Sequence, residues 1–289
     1  MSQYMPKQCC ATGSLHTGTP TGRLERLHGL NCYIADPPSS KPKGVVVIIP
    51  DAFGIALPNN CILADEYAKK GNFLVILPDF MDGRVVPAHL LVSFKAFGAT
   101  GFLAQIMKLY HAVIALRHML PFLYFCRSSV CGPRVYDFFK ALRAHEAANL
   151  PVGAAGFCWG GYWVFQLARD VVKTDDGKRL MDAGFTAHPS QLNVPSDIEK
   201  AVVPVSVAAA EIDMVLSKDQ AFQVRDILAA KSAKMKDSGV EHEFEMYEGA
   251  HHGFAVRCDE EDKEEAAQGK KAEEQAVRWF ERWFSSAAQ

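Results

Sequence analysis

The sequence has no C-x-x-C pair, and its eight cysteines are scattered at positions 9, 10, 32, 61, 126, 131, 158 and 258. That spacing builds neither a zinc ribbon nor a small disulfide framework, and it suits reduced thiols in a cytoplasmic protein. It also lacks charge of one dominant sign. With a net charge of -2, no overall cationic field draws it to nucleic acid or to an anionic membrane, so neither is expected as a partner. The opening residues, MSQYMPKQCC, lack the apolar core of a secretory signal. There is no internal repeat and no Pro/Gly/Ser-rich linker, so 289 residues are expected to form a single domain. Long apolar runs are scarce too. The one candidate, Phe102 to Phe125, contains Lys108, His111, Arg117 and His118 and is interrupted by Pro121. Charges at membrane depth are costly, so an amphipathic, largely buried helix or lid is expected there.

What is present is an ordinary globular composition, 49% hydrophobic and 22% charged, with strand and helix patterns in alternation. Residues 1–28 suggest an extended N-terminal arm. Gly29 to Ala35 reads as an edge strand. Val45 to Ile49 is an unbroken β-branched run, the mark of a strand buried on both faces. Leu57 to Lys70 reads as a helix stopped by Gly71, and Phe73 to Leu77 as a second buried strand. Residues 84–133 form a variable, apolar insert, with Cys126 to Pro133 expected as a loop. The spacing of Val135, Phe138, Phe139 and Leu142 predicts a helix ending near Asn149. Further strands are expected at Val152–Phe157, Gly184–Ala187, Val203–Ala209 and Phe244–Tyr247, and helices over Asp219–Lys236 and Ala276–Phe284. Strands alternating with helices indicate an α/β fold with a mostly parallel sheet covered on both faces.

The chain is organised around Gly156-Phe157-Cys158-Trp159-Gly160-Gly161. This has the G-x-S-x-G form of a strand–turn–helix nucleophile elbow, with cysteine at the centre. Glycines flank the turn where side chains would crowd it. The following helix N-terminus aims free N–H groups at the sulfur, which favours a thiolate and any oxyanion formed by attack. A cysteine in a Gly-rich turn can also be a plain buried residue, so the surrounding loops matter.

In doubly wound sheets the site lies beyond the carboxyl ends of the strands. Four such loops carry polar residues here: Asp51, Cys158, Asp213 and the pair His251/His252. Nucleophile, acid, histidine is the chain order of α/β-hydrolases, and a histidine held by a carboxylate supplies the base a thiol needs. The Gly-rich loop could present either histidine; His252 directly precedes Gly253-Phe254 and has the freer turn. Zinc is the rival for paired histidines, but no third ligand stands at a recognisable spacing, and no metal or cofactor is expected. Asp213 could instead cap a helix, Asp51 could be only a turn residue, and His188 reads as a pocket-wall or capping residue.

With PDAFG at Pro50–Gly54, LPDF at Leu77–Phe80, GFCWGG at Gly156–Gly161, Asp213 within AAEID and GAHHGF at Gly249–Phe254, the chain resembles the dienelactone hydrolase family from about Gly29 to Phe284. CCATGSLHTGTPTG resembles the leader of that family's fungal and other eukaryotic branch. The resemblance implies an α/β-hydrolase fold and hydrolysis of a small ester or lactone through a thioester on Cys158. Asp213 matches the triad acid and His252 the base. The family's glutamate that checks the thiol is replaced by Asp51, one methylene shorter. The N–H groups of Ala52 and Trp159 fall at the family's oxyanion hole. Substrate contacts are expected from Phe53, Arg84, His188 and Arg257, with Arg257 one residue displaced from the family's arginine. The implied partner is a small-molecule ester or lactone, the implied assembly a monomer or homodimer. A non-catalytic binding or regulatory member on the same scaffold is the alternative.

Overall fold

Val45–Ile49, the β-branched run, forms β3, and all five of its residues are buried. A strand with apolar side chains on both faces must lie inside a covered sheet, and β3 pairs in parallel with a neighbour on each side. The computed structural model describes residues 14–90, 102–234 and 240–287. Around β3 run β1 (Arg23–Leu27), β2 (Leu30–Ala35), α1 (Pro58–Gly71), β4 (Leu74–Pro78), α2 (Phe102–Phe125), α3 (Ser128–Ala144) and β5 (Val152–Phe157). Then follow α4 (Trp159–Ala168), β6 (Ala183–Ala187), α5 (Ser196–Glu199), β7 (Val205–Ile212), α6 (Lys218–Lys234), β8 (Glu243–His251), α7 (Phe254–Arg257) and α8 (Lys263–Ala287). The eight strands form one sheet in the order β1-β2-β4-β3-β5-β6-β7-β8. Only β1 and β2 run antiparallel to their neighbours. This is the α/β-hydrolase architecture expected.

Two glycines of β5 show how the layers are built. A Cβ on Gly153 would sit 2.5 Å from Phe280 of α8, and one on Gly156 would sit 2.6 Å from Val164 of α4. Residues three apart on a strand point to opposite faces, so α8 covers one face and α4 the other. The apolar stripe of α8, Ala272, Ala276, Trp279, Phe280 and Phe284, is buried against the sheet. Each large side chain so covered contributes roughly 1.5–3 kcal/mol.

Several expectations are revised. The strand after Gly29 is not the edge, because Arg23–Leu27 pairs outside it in exposed, extended form. Cys126 to Pro133 is not a loop. Helix α3 starts at Ser128 and passes through Pro133, which sacrifices one hydrogen bond near the N-terminus while burying Cys131 and Gly132. Helix α2 likewise runs through Pro121. It is not largely buried: Tyr110, Val113, Leu116, Leu120, Leu123 and Tyr124 are all exposed, by 47 to 62%. Strand β8 extends to His251, because a register shift at Ala210/Ile212 lets His251 pair with Ile212. Phe94 and Phe97 lie outside the described residues, as do residues 1–13 of the arm and the side chains of Phe102, Leu103 and Met107. The six cysteines among the described residues are free thiols. No helix among them is long and apolar enough to cross a membrane.

Candidate active site

Strand β5 ends at Phe157 and α4 begins at Trp159, leaving one residue to make the turn. Cys158 makes it at φ 52° and ψ -110°, a region that costs a non-glycine residue about 1–3 kcal/mol. Backbone hydrogen bonds hold it there. Its N–H donates to the Ala187 carbonyl at 3.3 Å, and its own carbonyl accepts from Gly161 at 3.0 Å and Ser190 at 2.9 Å. A Cβ on Gly160 would run into the Ile49 carbonyl, which explains the glycine two places after the cysteine.

The loops leaving β7 and β8 bring Asp213 and His252 together. His252 Nδ1 lies 2.8 Å from Asp213 Oδ2, with both side chains almost fully buried. Asp213 Oδ1 accepts the N–H of Val215 at 2.8 Å, so one oxygen fixes the turn and the other holds the imidazole. The helix-capping role suggested for Asp213 falls instead to Ser217, which exchanges side-chain and backbone hydrogen bonds with Gln220 at the start of α6. Gly253, at φ 97°, lets the chain reverse immediately after His252.

Cys158 and His252 act on each other through charge. Burial alone would push the His252 pKa down, but the sulfur's charge and the Asp213 carboxylate outweigh it and raise the value to about 10. For Cys158, burial opposes ionisation; the charge of His252, and after it that of Arg257, overcome this and lower the thiol's pKa. Each group favours the charged form of the other.

Asp51 follows β3 and is fully buried, and Arg257 of α7 donates to it from Nη1. The Arg257 guanidinium lies 5.1 Å from the Phe53 ring centroid. The arginine expected to meet a substrate carboxylate is therefore paired with the carboxylate expected to check the thiol. Among the described residues no acceptor takes the N–H of Ala52 or Trp159. His188 is fully buried, with its ring 5.0 Å from that of His252 and neither ring nitrogen hydrogen-bonded. Burial, then the positive charges of His252 and Arg257, push its pKa well down, so it is a neutral wall. Arg84 stands apart, its guanidinium 4.0 Å from the Phe125 ring.

Two residues escaped the sequence reading. Ser190 Oγ lies 3.8 Å from Cys158 Sγ, and Asn60 Nδ2 donates to Asp51 Oδ1 at 3.1 Å and to the Gly54 carbonyl at 2.9 Å. For Asn60 the signal was an amide near the N-terminus of a helix leaving the site. Ser190 offered no comparable signal.

The family model of the dienelactone hydrolases matches residues 30–284. The hydrolase pyvD of Aspergillus violaceofuscus is 27% identical over 98% of this chain and 99% of its own. Dienlactone hydrolase 1 of Gibberella moniliformis is 26% identical over 96% and 94%. Among solved structures, the dienelactone hydrolase of Anabaena variabilis superposes with a TM-score of 0.54 at 14% identity, covering 93% of this chain and 99% of that one. On the match to the family model, the chain belongs to the dienelactone hydrolase family, a family of carboxylic ester and lactone hydrolases.

Proposed function

We propose that Cys158, His252 and Asp213 act as nucleophile, base and acid in hydrolysing a small, largely apolar ester or lactone through a thioester. The observation that carries this reading is the 2.8 Å contact of His252 with Asp213 beside a cysteine held in the strained turn of an elbow. The Cys158 thiolate adds to the ester carbonyl. The oxyanion is received by the N–H groups of Ala52 and Trp159. Collapse expels the alkoxide, which takes its proton from the His252 imidazolium, and leaves an acyl group on sulfur. Neutral His252 then removes a proton from water, whose oxygen attacks the thioester. The acid leaves, the thiolate is restored, and His252 ends protonated. Asp213 keeps the Nδ1–H oriented throughout. Asp51, engaged by Arg257 and Asn60, is a second carboxylate near the thiol, and its charge opposes that of Cys158.

Hydrolysis of p-nitrophenyl acetate, abolished by iodoacetamide, is the expected result; undiminished turnover after complete alkylation of Cys158 would end the proposal. The apolar preference has a separate test. Phe122 is buried and its ring packs edge-on to Trp159 at 6.4 Å. Phe122→Ala should lower turnover of long-chain p-nitrophenyl esters relative to acetate by about tenfold, on the scale of a buried aromatic ring. An equal loss for all chain lengths would make Phe122 plain scaffold.

A further inference from the structure

Net charge conceals an uneven distribution along this chain. Residues 83–136 hold six of its 31 lysines and arginines and none of its 33 acidic residues. The segment is therefore +6 and the remainder -8. Arg134 is ion-paired to Asp82 at 3.6 Å. Arg84, Lys108, Arg117 and Arg127 have no ion-pair partner among the described residues.

The same segment carries α2, whose outward stripe is apolar. Val113, Leu116, Leu120, Leu123 and Tyr124 recur at helical spacing and are each about half exposed or more. Arg117 and Arg127 stand on the exposed side with them. The Arg127 guanidinium lies 4.4 Å from the Tyr124 ring and that of Arg84 4.0 Å from Phe125, so cations and aromatic rings lie side by side. The inner side faces the catalytic elbow: Phe122 meets Trp159, and the Trp159 indole donates to the Cys126 carbonyl at 3.2 Å.

A stripe of this size left in water is costly, and a soluble surface rarely keeps one without use. Apolar and aromatic side chains in a segment whose charges are all positive match the boundary of an anionic bilayer. Hydrocarbon takes the apolar stripe, and acidic headgroups take Lys and Arg at about 1 kcal/mol each. At 24 residues, α2 is about 36 Å long, enough to lie along such a surface.

We propose that α2 is a docking surface for anionic lipid membranes, placing the Cys158 site beside the lipid so that an apolar ester can enter from it. The substrate half of this statement rests on the proposed function; the binding half does not. The expectation that no membrane is a partner came from net charge over the whole chain, which hides the +6 segment.

The test is co-sedimentation of the intact protein with vesicles of phosphatidylcholine alone or mixed with phosphatidylglycerol, at low and high salt. The proposal expects binding at least about tenfold tighter to the anionic vesicles, weakened by salt. The Leu116→Ser/Leu120→Ser double variant should lose most of it, and Arg117→Glu should erase much of the anionic preference. Both should hydrolyse p-nitrophenyl acetate at the wild-type rate, since neither touches the site. Absence of binding to either vesicle, or binding that ignores both salt and the leucine variant, overturns the proposal. So does a dimer in lipid-free solution that the leucine variant dissociates, without vesicle binding, because a second copy would then cover the stripe. Vesicle binding by a protein that hydrolyses no ester would leave the surface standing and fault the function instead.

Discussion

The loops around Cys158 and the outer face of α2 treat charge in opposite ways. At the carboxyl edge of the sheet the buried ions are matched within the protein: His252 with Asp213, and Arg257 with Asp51. Across α2 the charges share one sign, stand near solvent and have few internal partners. Burying an ion without its counter-ion is strongly unfavourable, so the paired edge had to be assembled by distant loops agreeing in space. An exposed helix faces no such demand, and its composition is free to answer something outside the protein.

The largest effect expected from disturbing the paired edge is at the nucleophile. Cys158→Ala should lower kcat by about 10⁴-fold or more, as removal of a triad nucleophile does, with an unchanged melting curve. Retention of more than about a tenth of wild-type turnover would place the nucleophile elsewhere. Next is the base. His252→Ala should cost about 10³-fold in kcat/KM, and His251→Ala far less. Comparable losses measured in the two variants would undo the assignment.

How far this edge was legible follows from which parts are local. The elbow is spelled by five consecutive residues, because the turn itself excludes Cβ atoms at Gly156 and Gly160. The positions of Asp213 and His252 followed from strand ends. Ser190 was not legible and Asn60 only as an amide at the start of a helix: they reach Cys158 and Asp51 through the parallel packing of β5 with β6 and the seating of α1. The pairing of Asp51 with Arg257 spans 206 residues of sequence and has no local signature. For α2, helical spacing was plain but burial was not. A periodic apolar face signals that something covers it, without saying whether that is the protein's own core.

That buried pair makes the third prediction, now on stability. Arg257→Met should destabilise by about 3–5 kcal/mol by leaving the buried Asp51 charge without a counter-ion. Asp51→Asn combined with Arg257→Met should recover part of that in urea unfolding. A double variant no more stable than the single one would show that packing around Phe53, rather than charge pairing, sets the cost.

The smallest effect concerns a group away from both regions. His242 Nδ1 accepts the Val205 N–H at 3.2 Å, and burial lowers its pKa to about 4. A histidine depressed on folding is neutral in the native state while the unfolded chain binds a proton. Its contribution is therefore complete above pH 6.5 and lost as pH falls towards 4, by no more than about 3 kcal/mol. His242→Gln should flatten the fall in urea midpoint between those two pH values. An unchanged slope would mean that other groups govern acid stability.

The most direct test of the central claim is to catch the acyl group. Wild-type protein mixed with an activated ester, quenched in acid within one turnover and digested, should show the acyl mass on the peptide containing Cys158. The adduct should be labile to hydroxylamine, as a thioester is, and absent from Cys158→Ala. Full turnover with no adduct on Cys158, or the adduct on another residue, would contradict the account.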